Sequence, residues 1–345
     1  MQTRKIGRTN IEVPVLGLGG IPLRQRGVED GAQVVAAAFD KGIKFIDTAR
    51  GYETEPTFGA VLKDRRDRDG IIVATKSPAK AADKMRADLE TSLRELQVNM
   101  IDIYQCHAVN NDQTYEQVMG PDGALSALQK ARDEGLIRFI GLTSHRYDIL
   151  VKGMKSGEFD TIMVQHSFVD YEAETKIFTI ANDLNIGVLV MKAMAGGVID
   201  RPGPALRYVM QFPVSAIPVG MSKVAEVEEN VAIMEGDLTL TDEDRAYIEK
   251  TKKENEGQFC RRCGYCMPCP EKITIPMVMS FDSVYKRFGW QDNFLQWAER
   301  AAACKECGEC EEKCPYELPI REILPKRVAT IREAARKAGK AIPSD

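Results

Sequence analysis

Eight of the nine cysteines in this 345-residue chain lie in two short runs near its C-terminal end. The second run has the spacing Cys-x2-Cys-x2-Cys-x3-Cys-Pro and contains Cys304, Cys307, Cys310 and Cys314. Bacterial proteins hold [4Fe-4S] clusters with this spacing, because thiolates two residues apart can wrap one cubane. Structural zinc, the alternative, usually takes its cysteines as two separated pairs. The second run therefore predicts an iron–sulfur cluster.

The first run is one residue shorter before its last thiol and contains Cys260, Cys263, Cys266 and Cys269. In two-cluster proteins the fourth cysteine of a run binds the other cluster. If the ligands are exchanged in this way, one cluster is held by Cys260, Cys263, Cys266 and Cys314. The other is then held by Cys304, Cys307, Cys310 and Cys269. We expect two clusters; one cluster with four spare thiols is the alternative. The ninth cysteine, Cys106, is expected to fill space in a strand.

Titratable side chains end three consecutive apolar runs: Asp47 in "KFID", Lys76 in "IIVATK" and His107 in "IDIYQCH". Tyr52 follows Asp47 by five residues. A phenol, with a pKa of about 10, is a poor acid at neutral pH, but a nearby ammonium group lowers that pKa. A carboxylate can orient the lysine, and a histidine can hydrogen-bond a carbonyl oxygen. Each residue alone is more often structural. Together they predict a site that reduces a carbonyl group with hydride from a nicotinamide.

Eight apolar runs rich in β-branched residues alternate with amphipathic segments over the first 240 residues. Between the third and fourth runs, for example, Met85, Leu89, Leu93 and Leu96 form one apolar helical face. Eight β/α units close a (β/α)₈ barrel of about 250 residues, in which strand ends face the active site. An open doubly wound sheet is the alternative, but its Gly-x-Gly-x-x-Gly fingerprint is missing.

With these pieces in order, residues 1 to 240 resemble the aldo/keto reductase family. The matching segments are "FIDTARGY", "VATKS" and "DIYQCH", which supply that family's tetrad as Asp47, Tyr52, Lys76 and His107. The segments "GLTSH", "AMAGG" and "IPVGMSKVAEVEEN" resemble its coenzyme-binding stretches. The resemblance implies that Ser144 and Gln165 contact the nicotinamide carboxamide. The other implied coenzyme contacts are Lys192, Gly196, Gly197, Gly220, Ser222, Lys223, Glu229 and Asn230.

The chain departs from the family pattern in several places. It has Ser144-His145 where the family usually reads Ser-Asn, and the loop after Tyr52 is one residue shorter than the common family pattern. Glu226 would repel the 2′-phosphate of NADP, whereas Lys223 would attract it. Both NADP and NAD are therefore kept as expectations. His145 and His166 are expected to pack or hydrogen-bond at the barrel mouth and not to bind metal.

The C-terminal region resembles α-helical ferredoxin modules, and a narrower group of aldo/keto reductases carries such a domain. We therefore expect an α/β protein: a TIM barrel with a small α-helical, ferredoxin-like iron–sulfur domain. The expected divisions are a barrel over 1–240, a connecting helix over 241–256, a [4Fe-4S] domain over 257–325 and a helical tail over 326–345. The tail helix is expected to be interrupted near Pro325.

Composition restricts the partners. A net charge of −4 and a pI near 5.7 argue against a nucleic-acid or anionic-membrane surface. No secretory signal is visible, and the longest apolar stretch, broken by Lys192, is too short to span a bilayer. A cytoplasmic protein is expected, with a small carbonyl compound as substrate.

Nicotinamide gives two electrons at once as hydride, whereas each cluster takes one. A flavin could convert between the two, but no flavin motif is present. Three interpretations follow. The barrel reduces carbonyls with NAD(P)H while the clusters serve structure, regulation or electron exchange; or a ferredoxin or flavodoxin feeds single electrons to the barrel through the clusters. In the third, the chain is a non-enzymatic redox-sensing or electron-transfer subunit. The intact tetrad argues against this third interpretation.

Overall fold

The computed structural model describes residues 1–342, with side chains at all of these positions except 66–69 and 287. The chain forms two compact units. The first comprises Met1–Met194 and Arg201–Arg245, and the second comprises Ala195–Asp200 and the residues from Ala246 onward. Each unit has its own apolar core.

The first unit is built on a parallel sheet of eight strands, preceded by an antiparallel hairpin. The hairpin strands are β1 (Thr3–Lys5) and β2 (Glu12–Pro14). The sheet strands are β3 (Leu16–Gly19), β4 (Phe45–Asp47), β5 (Ile72–Ser77), β6 (Ile101–Cys106), β7 (Ile137–Thr143), β8 (Thr161–Gln165), β9 (Gly187–Met191) and β10 (Ile217–Gly220). Neighbours run from β3 to β9 in chain order, with β10 beside β3, and a parallel bridge between Leu189 and Ala216 closes the ring. The eight-stranded barrel is confirmed, with one strand in every predicted run.

Helices follow the strands of the first unit. They are α1 (Gly27–Asp40), α2 (Glu55–Asp69), α3 (Ala82–Leu96), α4 (Asp112–Met119), α5 (Ala124–Asp133), α6 (Tyr147–Ser156), α7 (Ala173–Lys176), α8 (Phe178–Asp183), α9 (Pro202–Met210) and α10 (Val224–Glu235). Another helix, α11 (Asp242–Asn255), follows them. The apolar face predicted for α3 is buried at Met85, Leu89 and Leu96, and the helix ends at Gln97 in a left-handed conformation.

The inward face of the barrel changes from apolar to polar along four of its strands, β4, β5, β6 and β8. At one end, Ile6, Ile11 and Val13 of the hairpin region pack against inward-facing strand residues. These strand residues are Phe45, Ala74, Ile103, Met163 and Leu189. Side chains two residues apart in a strand share a face. The next inward positions are Asp47, Lys76, Gln105 and Gln165. The carboxyl edge of the barrel is therefore lined by polar groups.

The second unit is helical, as predicted. Its helices beyond α11 are α12 (Ile275–Met279), α13 (Phe281–Phe288), α14 (Asn293–Ala302), α15 (Glu309–Glu312) and α16 (Ile320–Lys337). They surround a core that includes Ile273, Phe281, Phe294 and Ile331. In the part of the chain that the structure describes, no helix is long and apolar enough to span a membrane.

The predicted interruption near Pro325 is wrong, because α16 continues through that residue to Lys337. Proline removes one backbone donor, and at the sixth position of the helix this costs a single intrahelical hydrogen bond. The apolar side of α16, buried at Ile323, Leu324, Val328 and Ile331, packs into the core of the unit. This burial outweighs the missing bond.

Candidate functional site

A buried ion pair lies at the carboxyl edge of the barrel. The Nζ atom of Lys76 donates to Asp47 Oδ2 and, at 2.8 Å, to the backbone oxygen of Thr48. Gln105 Nε2 donates to the other carboxylate oxygen, Asp47 Oδ1, at 3.0 Å. Lys76 is 1% exposed and Asp47 is 5% exposed. A charged pair this deep is held in place only because both partners are hydrogen-bonded.

The two other members of the predicted tetrad lie next to this pair. Lys76 Nζ is 5.1 Å from the centre of the Tyr52 ring. The rings of Tyr52 and His107 meet edge to face, with centres 5.9 Å apart. Tyr52 ends a 3-10 helix, Arg50–Tyr52, in the loop between β4 and α2, and His107 follows β6 directly. The structure therefore brings all four predicted residues together at one edge of the barrel.

Burial and neighbouring charges set the protonation of this group. Burial alone would lower the pKa of Lys76, but the charges of Asp47, Tyr52 and Glu55 raise it overall, so the lysine is cationic. Burial, together with the charges of Lys76 and Lys80, lowers the pKa of His107 to about 3. His107 is therefore an uncharged imidazole at neutral pH. Such a ring can donate an N–H to a carbonyl oxygen without carrying a charge.

The sequence interpretation missed a second set of charged residues beside this group, of which Glu55 is buried. Glu55, at the start of α2, is fully buried, and its Oε1 accepts from the Thr75 hydroxyl at 2.7 Å. Arg50 Nη1 donates to the same carboxylate and, at 2.6 Å, to Glu95 Oε2 on α3. Gln105 was missed as well. Its polar side chain at an inward strand position was the one available signal.

The residues expected at the nicotinamide end lie directly after β7 and at the last position of β8. Ser144 is fully buried, and its hydroxyl donates to Asn110 Oδ1 at 3.1 Å. Gln165 Nε2 donates to the backbone oxygen of His145 at 3.0 Å, whereas its Oε1 is buried without a partner. An orphaned carbonyl oxygen of this kind costs free energy unless a ligand donor reaches it. The amide group of a nicotinamide carboxamide supplies such a donor, so these residues fit the coenzyme.

The residues expected at the adenosine end lie at and after β10. Gly220 is exposed at the end of the strand, and Ser222 and Lys223 precede α10. Asn230 is 5% exposed and its Oδ1 has no partner, which suits a ligand donor. Glu229 is exposed on the helix, and no contact there explains its predicted role.

Glu226 occupies the N-terminal end of α10. Its Oε2 accepts from the backbone N–H of Ser222 at 2.6 Å and from that of Lys223 at 3.2 Å. The side-chain hydroxyl of Ser222 lies 3.3 Å from the same oxygen. A helix N-terminus attracts anions. Here the protein's own carboxylate fills that position.

The remaining expected coenzyme contacts follow β9. Lys192 has a left-handed backbone, with φ of 61°. Gly196 and Gly197 also have positive φ, at 69° and 102°, in the short turn Ala195–Gly197. This turn belongs to the second compact unit. The two glycines are thus not grouped with the barrel, and their role in a coenzyme site stays a prediction.

The two other histidines have structural contacts of the predicted kind. His166 is fully buried, with ring centres 4.9 Å from Phe178 and 4.8 Å from Phe212. Burial lowers its pKa to about 4, so it is uncharged at neutral pH. The backbone N–H of His145 donates to Asn110 Oδ1 at 2.8 Å. Cys106 is buried inside β6, as expected of a strand filler.

The clustered cysteines of the second unit surround two cavities. The first, which we call the Cys307 cavity, has a volume of about 390 Å³ including space open to solvent. Its cysteines are Cys266, Cys269, Cys304, Cys307 and Cys310. The second, the Cys263 cavity, has a volume of about 340 Å³ measured in the same way. Its cysteines are Cys260, Cys263, Cys266 and Cys314. Each cavity thus combines the first three cysteines of one run with the last cysteine of the other, and Cys266 lines both cavities.

This arrangement fits [4Fe-4S] clusters. Among the side chains that the structure describes, no three of His, Cys, Asp or Glu converge as ligands of a single metal ion. The thiols instead surround spaces, and a cubane needs this because its four thiolates bind four different iron atoms. A zinc ion would draw all four sulfurs to about 2.3 Å from one point. The apolar side chains of Ile273, Ile275 and Leu324 also line the Cys307 cavity.

The two cavities differ in exposure. Cys307, which lines only the first cavity, is exposed, whereas Cys263, which lines only the second, is 8% exposed. Cys266 and Ile275 line both cavities, so the two spaces are neighbours. Arg261 stacks over the Tyr316 ring at 4.0 Å, and both residues line the Cys263 cavity.

Comparison with known proteins gives two family matches. Residues 15–202 match the aldo/keto reductase family, and residues 259–319 match a 4Fe-4S dicluster domain. The first match covers more than half of the chain and includes all four tetrad positions. The second includes all eight clustered cysteines.

Individual relatives support the first match. L-galactose dehydrogenase of Arabidopsis thaliana is 28% identical over 282 residues, covering 67% of this chain and 88% of the relative. D-threo-aldose 1-dehydrogenase of a Pseudomonas species is 23% identical over 233 residues, covering 56% of this chain and 70% of the relative. Among solved structures, aldo-keto reductase AKR11C1 from Bacillus halodurans superimposes with a TM-score of 0.61 at 25% identity. That alignment covers 73% of this chain and 96% of the other.

Proposed function

Because this chain belongs to the aldo/keto reductase family and carries a 4Fe-4S domain, we propose that it reduces an aldehyde or ketone to an alcohol with a reduced nicotinamide coenzyme. The observation that carries this proposal is the buried Asp47–Lys76 ion pair, with the rings of Tyr52 and His107 beside it. A cation beside a phenol assists loss of the phenolic proton. A barrel that only bound coenzyme would have no use for this pair.

The four residues act on the carbonyl oxygen. When bound, the reduced nicotinamide supplies hydride to the carbonyl carbon. His107, uncharged at neutral pH, donates a hydrogen bond that orients the oxygen, and Tyr52 gives that oxygen its phenolic proton. Lys76 then stabilises the phenolate left on Tyr52. Asp47, held by Gln105, keeps Lys76 charged and in place.

Two of the relatives are named as sugar dehydrogenases, which suggests a substrate class. The same four residues can catalyse the reverse reaction, in which Tyr52 takes the proton from an alcohol. We therefore propose that the substrates include aldoses, oxidised at the hydroxyl of the ring carbon that corresponds to the aldehyde. A substrate panel should contain aldoses with oxidised coenzyme as well as simple aldehydes with reduced coenzyme.

We further propose that NADH is preferred over NADPH. The carboxylate of Glu226 already accepts the backbone N–H groups of Ser222 and Lys223, which directly precede α10. A 2′-phosphate approaching this position would meet the negative charge of this carboxylate. The ribose hydroxyl of NADH can instead donate to the carboxylate. Lys223 would attract the 2′-phosphate of NADPH, but its side chain is exposed and solvent screens the attraction.

Replacing Glu226 with glutamine should therefore raise the affinity for NADPH by about tenfold, which corresponds to about 1.4 kcal/mol, while changing that for NADH little. Glutamine keeps the length of the side chain and can still cap the helix. The dissociation constants of both coenzymes would be measured by calorimetry on the isolated holoprotein. Glu228→Gln is the matched control, since Glu228 is exposed on the same helix and pairs with Lys41. An unchanged NADPH affinity in Glu226→Gln would contradict the proposed preference.

In the proposed division of labour, residues 1–240 form the catalytic domain and residues 257–325 hold two [4Fe-4S] clusters. Each cluster, when bound, takes or gives one electron. The exposed Cys307 favours exchange with a one-electron carrier such as a ferredoxin or flavodoxin, because it brings the edge of one cluster to solvent. Cys266 and Ile275 separate that cavity from the Cys263 cavity, so electrons can pass between the two.

Anaerobic mixing separates carbonyl reduction from carrier-linked reduction. NADH or NADPH is added to the oxidised protein while the iron–sulfur absorbance is followed, with and without a carbonyl substrate. We expect turnover of the carbonyl without bleaching, because hydride transfer does not supply single electrons. Bleaching would show that the clusters accept electrons from the nicotinamide. Turnover with a reduced ferredoxin and none with either coenzyme would replace the proposal with the carrier-linked function.

A further inference from the structure

The buried Glu55 has a position that neither the tetrad nor the coenzyme explains. It is fully buried at the first residue of α2. A carboxylate without solvent must be hydrogen-bonded to remain charged. Both oxygens are satisfied by protein groups, Oε1 by the Thr75 hydroxyl and Oε2 by the Arg50 guanidinium. The protein therefore maintains a second buried negative charge close to Lys76.

The two partners of Glu55 are chain neighbours of the tetrad. Thr75 immediately precedes Lys76 on β5, and because alternate side chains point to opposite faces, its hydroxyl lies on the helix-facing side of the strand. Arg50 begins the 3-10 helix that ends at Tyr52. One carboxylate thus joins the strand that carries the ammonium group to the loop that carries the phenol.

Other contacts fix the same loop. Arg50 also donates to Glu95 on α3 at 2.6 Å, which anchors the loop to a neighbouring helix. The buried hydroxyls of Thr48 and Thr54 are 2.7 Å apart, and the backbone oxygen of Thr48 accepts from Lys76. These bonds hold residues 48–54, the Tyr52 loop, at both of its ends. Glu55 supplies the bond that reaches β5 from outside the barrel.

We propose that Glu55 is a positioning residue, which holds the Tyr52 loop against β5 and so fixes the Tyr52 ring beside the Lys76 ammonium group. The inference deepens the proposed carbonyl reduction and rests on it for its catalytic meaning. The carboxylate also contributes charge. The charges that raise the pKa of Lys76 are those of Asp47, Tyr52 and Glu55. The charges that help to lower the pKa of His107 are those of Lys76 and Lys80.

Two substitutions separate the structural and electrostatic parts of this role. Glu55→Gln removes the charge and leaves one acceptor oxygen where the carboxylate has two, so either the Thr75 or the Arg50 bond is lost. Loss of a negative charge also eases deprotonation of every nearby group. Thr75→Val removes the hydrogen bond and leaves the charge. We expect both to lower kcat by about tenfold with KM changed little, since they misplace the reacting groups. Only Glu55→Gln should move the alkaline limb of the kcat profile to lower pH. Thr75→Ser should restore kcat.

A readout that needs no substrate tests the inference separately from the proposed function. Tyrosinate absorbance is followed as the pH of the holoprotein is raised, and the step missing from Tyr52→Phe identifies the Tyr52 titration. We expect that step at lower pH in Glu55→Gln and unmoved in Glu90→Gln, a control whose exposed carboxylate pairs with Arg86. An unmoved step in a folded Glu55→Gln protein would overturn the inference, as would unchanged kcat in Thr75→Val. Absence of carbonyl turnover in the unaltered protein would instead refute the proposed function and leave the titration result valid.

Discussion

Replacing Tyr52 with phenylalanine is expected to lower kcat for carbonyl reduction by about 10²–10⁴-fold, because the reaction loses its proton donor. The phenyl ring keeps its edge contact with His107 and its place over Lys76. Coenzyme affinity and iron content should therefore stay at the levels of the unaltered protein. Single-turnover kinetics with aldehyde and NADH would measure the rate of carbonyl reduction, and calorimetry would measure the coenzyme affinity.

Tyr104→Phe is the matched control for this variant. Tyr104 lies on β6 with its hydroxyl 3.2 Å from Ser92, on the face of the sheet opposite to Gln105. The control removes a buried tyrosine hydroxyl from the same barrel but not from the site. Undiminished turnover in Tyr52→Phe would remove Tyr52 from the mechanism, whereas equal losses in both variants would indicate damage to the barrel.

The same test at Lys76 would be less informative. Lys76 is 1% exposed and is the charged partner of a buried carboxylate. Removing one member of a buried ion pair destabilises a protein by about 3–5 kcal/mol, because the other charge is left uncompensated. Loss of activity in such a variant would mix chemistry with unfolding. Tyr52, whose ring stays in place without its hydroxyl, avoids this problem.

Local patterns in the sequence were enough to predict the barrel and the tetrad. Strand periodicity located all eight barrel strands, and parallel strands bring their carboxyl ends to one edge. The ends of three such runs are Asp47, Lys76 and His107, so their meeting required no knowledge of loop structure. Cysteine spacing, which is also a local signal, predicted the two groups of thiols that line the cavities.

Contacts between distant residues could not be predicted in this way. Thr75 lies 20 residues from Glu55, and Glu95 lies 45 residues from Arg50, so no periodicity links them. The capping of α10 by Glu226 does have a local signature, an acidic residue three positions after the N-cap. The grouping of Ala195–Asp200 with the second unit has no such local signature in the sequence. It depends on contacts between that turn and α13, a helix more than 80 residues further along the chain.

The pairing of cysteines between the two runs leads to the prediction with the largest effect on the second unit. Cys260 and Cys314 line one cavity, whereas Cys304 lines the other. Single alanine variants at these positions should each retain about four of about eight irons per chain. The double variant Cys260→Ala/Cys314→Ala should also retain about four, because both ligands belong to one cluster. Cys260→Ala/Cys304→Ala should retain almost none.

Ligation within each run would reverse the result for Cys260→Ala/Cys314→Ala but not for Cys260→Ala/Cys304→Ala, because Cys304 and Cys314 would then share a cluster. Cys304→Ala/Cys314→Ala would in that case keep about four irons, and Cys260→Ala/Cys314→Ala would keep almost none. Iron and acid-labile sulfide would be measured after anaerobic purification, with Cys106→Ala as the control outside both cavities. About four irons in the unaltered protein would refute two clusters outright. The pairwise pattern thus tests the number of clusters and the exchange of ligands in one series, without relying on turnover by the barrel.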